Sequence, residues 1–127
     1  MGLCPTDPKP HNLTLSQAYE HIRTWYSQNI PLLRQQMGGQ DYAKKSEALI
    51  LALPSADQLS QLEIRAVLGE VIYGNLEWAY HHADSQYKMA AYAHCAFEAA
   101  GLSWSLTEDE RKQLVGSRLW PHLMINR

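Results

Sequence analysis

The stretch that decides the fold is residues 60–100, which read SQLEIRAVLGEVIYGNLEWAYHHADSQYKMAAYAHCAFEAA. This segment contains no proline, and its apolar residues recur with helical periodicity. Ser60 lies three residues before Glu63, so the two side chains can exchange hydrogen bonds with each other's backbone N–H groups and begin a helix. We predict either one long helix or a helical hairpin here. We favour the hairpin, because Asp84 and Ser85 can cap a second helix.

Two further helix starts carry the same pattern. Thr14 precedes Gln17 by three residues, and Thr107 precedes Glu110 by three residues. Three such starts predict an all-α fold, a single compact bundle of four to five helices.

The spacing of apolar residues assigns inward faces to the first two helices. The first helix is expected to end near Asn29, ahead of Pro31, and a short continuation is expected to stop at Gly38. A second helix is predicted from Asp41 to Leu53, closed by Pro54, and Gly101 is expected to end a later helix. The residues predicted to face the core are Leu15, Ala18, Ile22 and Trp25 in the first helix and Leu49, Ile50 and Leu53 in the second.

The amino-terminal residues have a different character. Prolines at positions 5, 8 and 10 favour an extended arm over residues 1–13, which leaves residues 14–127 as a single helical domain. No stretch resembles a signal sequence or a membrane span, so we expect a soluble, cytoplasmic protein with no membrane partner. The start Met-Gly-Leu-Cys-Pro-Thr formally fits a myristoylation pattern, but no polybasic segment follows it.

The two cysteines, Cys4 and Cys95, lie far apart and form no C-x-x-C pattern. We therefore expect free thiols, with Cys95 an inert core residue of an alanine-rich helix. His94 and Glu98 are four residues apart rather than three, so they do not form the Glu-x-x-His pair of metal-carboxylate bundles. No cofactor is predicted.

Charge is unevenly distributed along the chain. Residues 46–110 carry ten acidic and two basic side chains, whereas residues 111–127 carry four basic and no acidic ones. Clustered charge indicates either ordinary solvated faces or docking on a charged partner.

Acidic residues recur every seven positions along the central segment. They are Glu63, Glu70, Glu77 and Asp84, and His81 lies one turn beyond Glu77. Seven residues fall close to two helical turns, so these side chains share one stripe. We interpret the stripe as solvated. The alternative is a divalent-metal-dependent hydrolase that uses Glu70, Glu77, His81 and Asp84.

Eleven of the twelve aromatic residues are Trp or Tyr, whose rings carry a polar group suited to partly hydrated contact surfaces. This composition, together with the absence of a phosphate-binding loop or a catalytic motif, predicts a small non-enzymatic binding or regulatory protein. Its partner would be another protein, with a homodimer as one possibility. The candidate contact residues are Tyr73, Trp78, Tyr80, Trp104, Trp120, Leu123 and Ile125.

The carboxyl-terminal residues allow two interpretations. The apolar tail from Trp120 to Ile125 is expected to pack on its own domain or on a second subunit, because leaving it exposed would be costly. A helical nucleic-acid-binding regulator is the other alternative, based on four basic residues near the end of the chain. These are Arg111, Lys112, Arg118 and Arg127. The chain as a whole is slightly acidic, so nucleic acid is not the expected partner.

Overall fold

Helices account for the regular secondary structure of the residues that the structure describes. The computed structural model describes residues 14–31, 41–72 and 83–123. Its helices are α1 (Leu15–Gln28), α2 (Asp41–Ala52), α3 (Gln61–Ile72), α4 (Ala83–Ala100) and α5 (Glu108–Leu114), with 3₁₀ turns at Ala56–Gln58 and Trp120–His122. No strand occurs in these three ranges. The predicted all-α fold is confirmed.

All three predicted capping boxes form. In each one, the first residue's hydroxyl accepts a hydrogen bond from the backbone N–H three residues later, and that later residue's side chain accepts one from the first residue's N–H. The bonds measure 2.9–3.2 Å and begin α1, α3 and α5. The pairs are Thr14 with Gln17, Ser60 with Glu63, and Thr107 with Glu110.

The predicted helix ends are also present. Asn29 ends α1, and its side-chain amide donates a 2.6 Å hydrogen bond to the Trp25 carbonyl. The helix α2 stops two residues before Pro54. Gly101 ends α4 with a φ of +68°, a left-handed conformation that glycine adopts without steric cost.

Three helices form the centre of the fold. The helices α1, α3 and α4 each pack against the other two. The helix α2 packs on α1 and on the Trp120–His122 turn, and α5 packs on α3. Because α3 and α4 lie against each other, they are two separate helices, as the hairpin prediction requires, rather than one continuous helix. Asp84 and Ser85 lie inside α4 and not ahead of it, so they do not cap this helix as predicted.

The buried face of α1 differs from the predicted one at a single important position. Its buried residues are Leu15, Ala18, Tyr19, Ile22 and Tyr26. Trp25 lies at the margin of the core and is half-buried, because Tyr19 and Tyr26, seven residues apart on one stripe, occupy the inward side. Trp25 is therefore not the fully buried anchor that its spacing predicted.

The core is completed by residues around the end of α2 and by residues that follow α5. Leu49 and Ile50 of α2, and Leu53 just after it, are buried as predicted. Leu119 and Leu123 are buried beyond α5. The predicted arm over residues 1–13 and the predicted continuation over residues 32–37 lie outside the described residues.

Within the described part of the chain, no helix has both the length and the apolar character that crossing a bilayer requires.

Candidate functional site

The structure places three of the seven predicted contact residues. Trp104 and Trp120 are half-buried and pack against the core. Leu123 is only 1% exposed, so it belongs to the core and offers no surface to a partner. The described part of the tail, from Trp120 to Leu123, therefore packs on its own domain. The other four, Tyr73, Trp78, Tyr80 and Ile125, lie outside the described residues.

Glu70 corrects the interpretation of the acidic stripe. Its side chain is 0% exposed, so the stripe is not uniformly solvated. The reason is that α1, α4 and α5 all pack on α3 and cover most of its circumference. Glu63, one position earlier in the stripe, is half-buried.

Nothing in the described structure brings the remaining residues of the predicted metal site together. Glu77 and His81 lie outside the described residues, and Asp84 lies in the first turn of α4, where side chains are not described. Among the described side chains, no three His, Cys, Asp or Glu residues come close enough to share an ion.

Cys95 corrects a second expectation. It is buried in α4, as predicted, but it is disulfide-bonded rather than a free thiol. The one other cysteine of the chain, Cys4, lies outside the described residues. Cysteine spacing alone does not reveal such a bond, because a disulfide depends on distances in the folded protein.

Glu63 lies at a cleft between the start of α3 and the segment that follows α5. The cleft has a volume of about 450 Å³ and is lined in part by Ser60, Glu63, Gln113 and Ser117. One oxygen of Glu63 accepts the backbone N–H of Ser60 at 2.9 Å. The other accepts the hydroxyl of Ser117 at 2.5 Å.

The chemistry of this cleft favours a structural role. Burial, the largest single influence, raises the pKa of Glu63, but the hydrogen bonds from Ser117 and Ser60 together outweigh it and hold the pKa below its usual range. A carboxylate with a lowered pKa is a poor general base. The Ser117 oxygen also accepts the N–H of Leu119 at 3.1 Å, so this hydroxyl both donates and accepts within the fold. The pair therefore fastens the chain after α5 to α3.

Arg65 makes a second link to α3. Its guanidinium donates to the carboxylate of Glu110 at 2.7 Å and to the carbonyl of Ser103 at 3.1 Å. The hydrogen bond from the backbone N–H of Thr107 has the largest effect on the pKa of Glu110 and lowers it. The hydrogen bond from Arg65 has the next largest effect and lowers it further. This ion pair holds the loop between α4 and α5 in place.

The structure describes three of the four basic residues of the nucleic-acid alternative. Arg111 is half-buried, whereas Lys112 and Arg118 are exposed. Arg118 donates to the side chain of Gln58 at 3.2 Å. Arg127 lies outside the described residues.

A second depression follows the outer side of α1. It is mainly apolar, has a volume of about 370 Å³, and we call it the α1 groove. Its lining residues are Glu20, His21, Thr24, Trp25 and Gln28. They are spaced three and four apart along the helix and so share one face.

Aromatic rings shape the α1 groove. The imidazole of His21 lies 4.2 Å from the ring of Tyr92 on α4, tilted by 40°. The indole of Trp25 meets the ring of Tyr26 edge-on, with 5.0 Å between ring centroids. Because Tyr26 and Tyr92 are both buried, these contacts hold the two groove rings against the core.

The titratable side chains near the α1 groove are neutral or paired. Burial lowers the pKa of His21, which favours a neutral imidazole at pH 7. The carboxylate of Glu20 bonds Arg23 at 2.9 Å and the backbone N–H of Ala56 at 2.5 Å. The groove therefore presents mainly apolar surface, which the Trp25 ring and the carbon atoms of its polar neighbours supply.

The sequence interpretation missed this groove because it placed Trp25 in the core. A usable signal was present: His21, Thr24, Trp25 and Gln28 form a stripe that adjoins the apolar stripe of the same helix. An indole between polar neighbours is typical of a partly hydrated surface.

No family model, curated protein or solved structure gives a significant match to this chain.

Proposed function

We propose that this is a small non-enzymatic binding protein that holds an apolar segment of a partner protein in the α1 groove. The observation that carries the proposal is the partly exposed indole of Trp25 in a shallow, mainly apolar depression. Tryptophan is enriched among the residues that dominate binding energy at protein interfaces.

The helix that carries the groove is held in place before any partner arrives. Its start is fixed by the Thr14 capping box, and its middle is bonded to the loop after α2 through Tyr19, Glu20 and Arg23. A surface that is already ordered loses little conformational entropy on binding. This rigidity supports a recognition role for α1.

The oligomeric state and cellular location also belong to the proposal. A second copy of this chain is another candidate occupant of the α1 groove, which would make the protein a homodimer. The predicted cytoplasmic location stays a prediction. The disulfide at Cys95 is an argument against it, because disulfides persist mainly in oxidising compartments.

The proposal is tested by a substitution that introduces a positive charge into the α1 groove. Thr24 is exposed, and arginine is a good helix former, so Thr24→Arg should introduce a long cationic side chain beside Trp25 without disturbing the core. Val115→Arg is the matched control, since Val115 is 58% exposed and lies beyond α5, outside the groove. Equal melting temperatures for both variants would establish that the fold is intact.

The readout is capture of proteins from an extract of the source cell on each immobilised variant. The proposal predicts a partner that the wild-type protein and Val115→Arg retain and that Thr24→Arg loses. Retention by all three proteins, or by none, would contradict it. Light scattering on the same samples tests the homodimer, which predicts a doubled mass for the wild type and the monomer mass for Thr24→Arg.

A further inference from the structure

We draw no further inference here: the strongest candidate, the cleft between the start of α3 and the segment after α5, is built around polar groups that already bond one another, Glu63 with Ser60 and Ser117, and nothing in the structure shows what ligand would fill it.

Discussion

The hydroxyl of Tyr19 donates a 2.6 Å hydrogen bond to the carbonyl of Pro54, 35 residues further along the chain. Beside it, Arg23 donates to the carbonyl of Leu53 at 3.1 Å. Two side chains of α1 thus satisfy carbonyls just after α2, where a helix end leaves such groups without partners. Burial raises the pKa of Tyr19 well above its usual range, so the hydroxyl stays protonated and able to donate.

Removing this hydroxyl should weaken the fold. Tyr19→Phe keeps the buried ring and leaves the Pro54 carbonyl without its donor, so we expect the free energy of unfolding to fall by about 1–2 kcal/mol. Urea denaturation measures the change. Ser27→Ala removes a hydroxyl from the exposed side of the same helix and should change stability by less than about 0.5 kcal/mol. Equal effects of the two variants would contradict the role of Tyr19.

The lowered pKa of Glu63 predicts a loss of stability in acid. The folded carboxyl releases its proton more readily than the unfolded one, so its contribution is complete above the unfolded pKa and is lost as the pH falls through the folded one. Glu63→Gln preserves the capping box, because glutamine serves equally at that position. We therefore expect a smaller difference between the unfolding free energies at pH 7 and pH 3 in the variant. An unchanged difference would show that the Glu63 charge does not contribute.

Leu123 should contribute strongly to stability, although it lies in an apolar tail. It is 1% exposed, so Leu123→Ala is expected to cost about 2–5 kcal/mol, the usual cost of emptying a core site. Val115→Ala, at a side chain that is 58% exposed, should change little. Thermal denaturation distinguishes the two variants. An unaltered melting temperature for Leu123→Ala would contradict its place in the core.

Trp25 should matter less for stability than its size suggests. A fully buried Trp→Ala change costs about 3–5 kcal/mol, and for this half-buried ring we expect roughly 2 kcal/mol. Tyr26→Ala, at a ring that is 1% exposed, should cost more. Urea denaturation of both variants gives the order. The reverse order would place Trp25 inside the core and remove it from the α1 groove.

The disulfide at Cys95 should make stability depend on reductant. Reduction is expected to lower the free energy of unfolding by about 2–4 kcal/mol, a typical contribution of a disulfide. The melting temperature is measured with and without dithiothreitol, and Cys95→Ala should show no response to it. A wild-type protein that melts identically in both conditions, or a free thiol at Cys95 in the unreduced protein, would contradict the bond.

Local chemistry made the helix boundaries predictable. A capping box needs only residues three positions apart, and Pro31, Pro54 and Gly101 act on the backbone next to them. None of these features depends on how the helices pack. That independence explains why the starts of α1, α3 and α5 were readable from the sequence.

The features that the sequence did not reveal depend on how the helices pack against one another. The seven-residue acidic repeat resembles a solvated face, yet Glu70 is buried because three helices surround α3. In the same way, spacing alone does not show which ring of the neighbouring pair Trp25 and Tyr26 faces inward. The α1 groove follows from that choice, so the candidate site was less predictable than the fold that carries it.

Glu63 makes two hydrogen bonds, one to a residue close in sequence and one to a residue far along the chain. One oxygen bonds Ser60 three residues away, and the other bonds Ser117, which is 54 residues away. Detachment of the segment after α5 would therefore leave the capping carboxylate without one of its donors, and fraying of α3 would in turn displace the acceptor of Ser117. The two ends of this link are thermodynamically coupled. Amide hydrogen exchange at Glu63 and at Leu119, whose N–H bonds the Ser117 oxygen, should accordingly report one shared opening event rather than two separate ones.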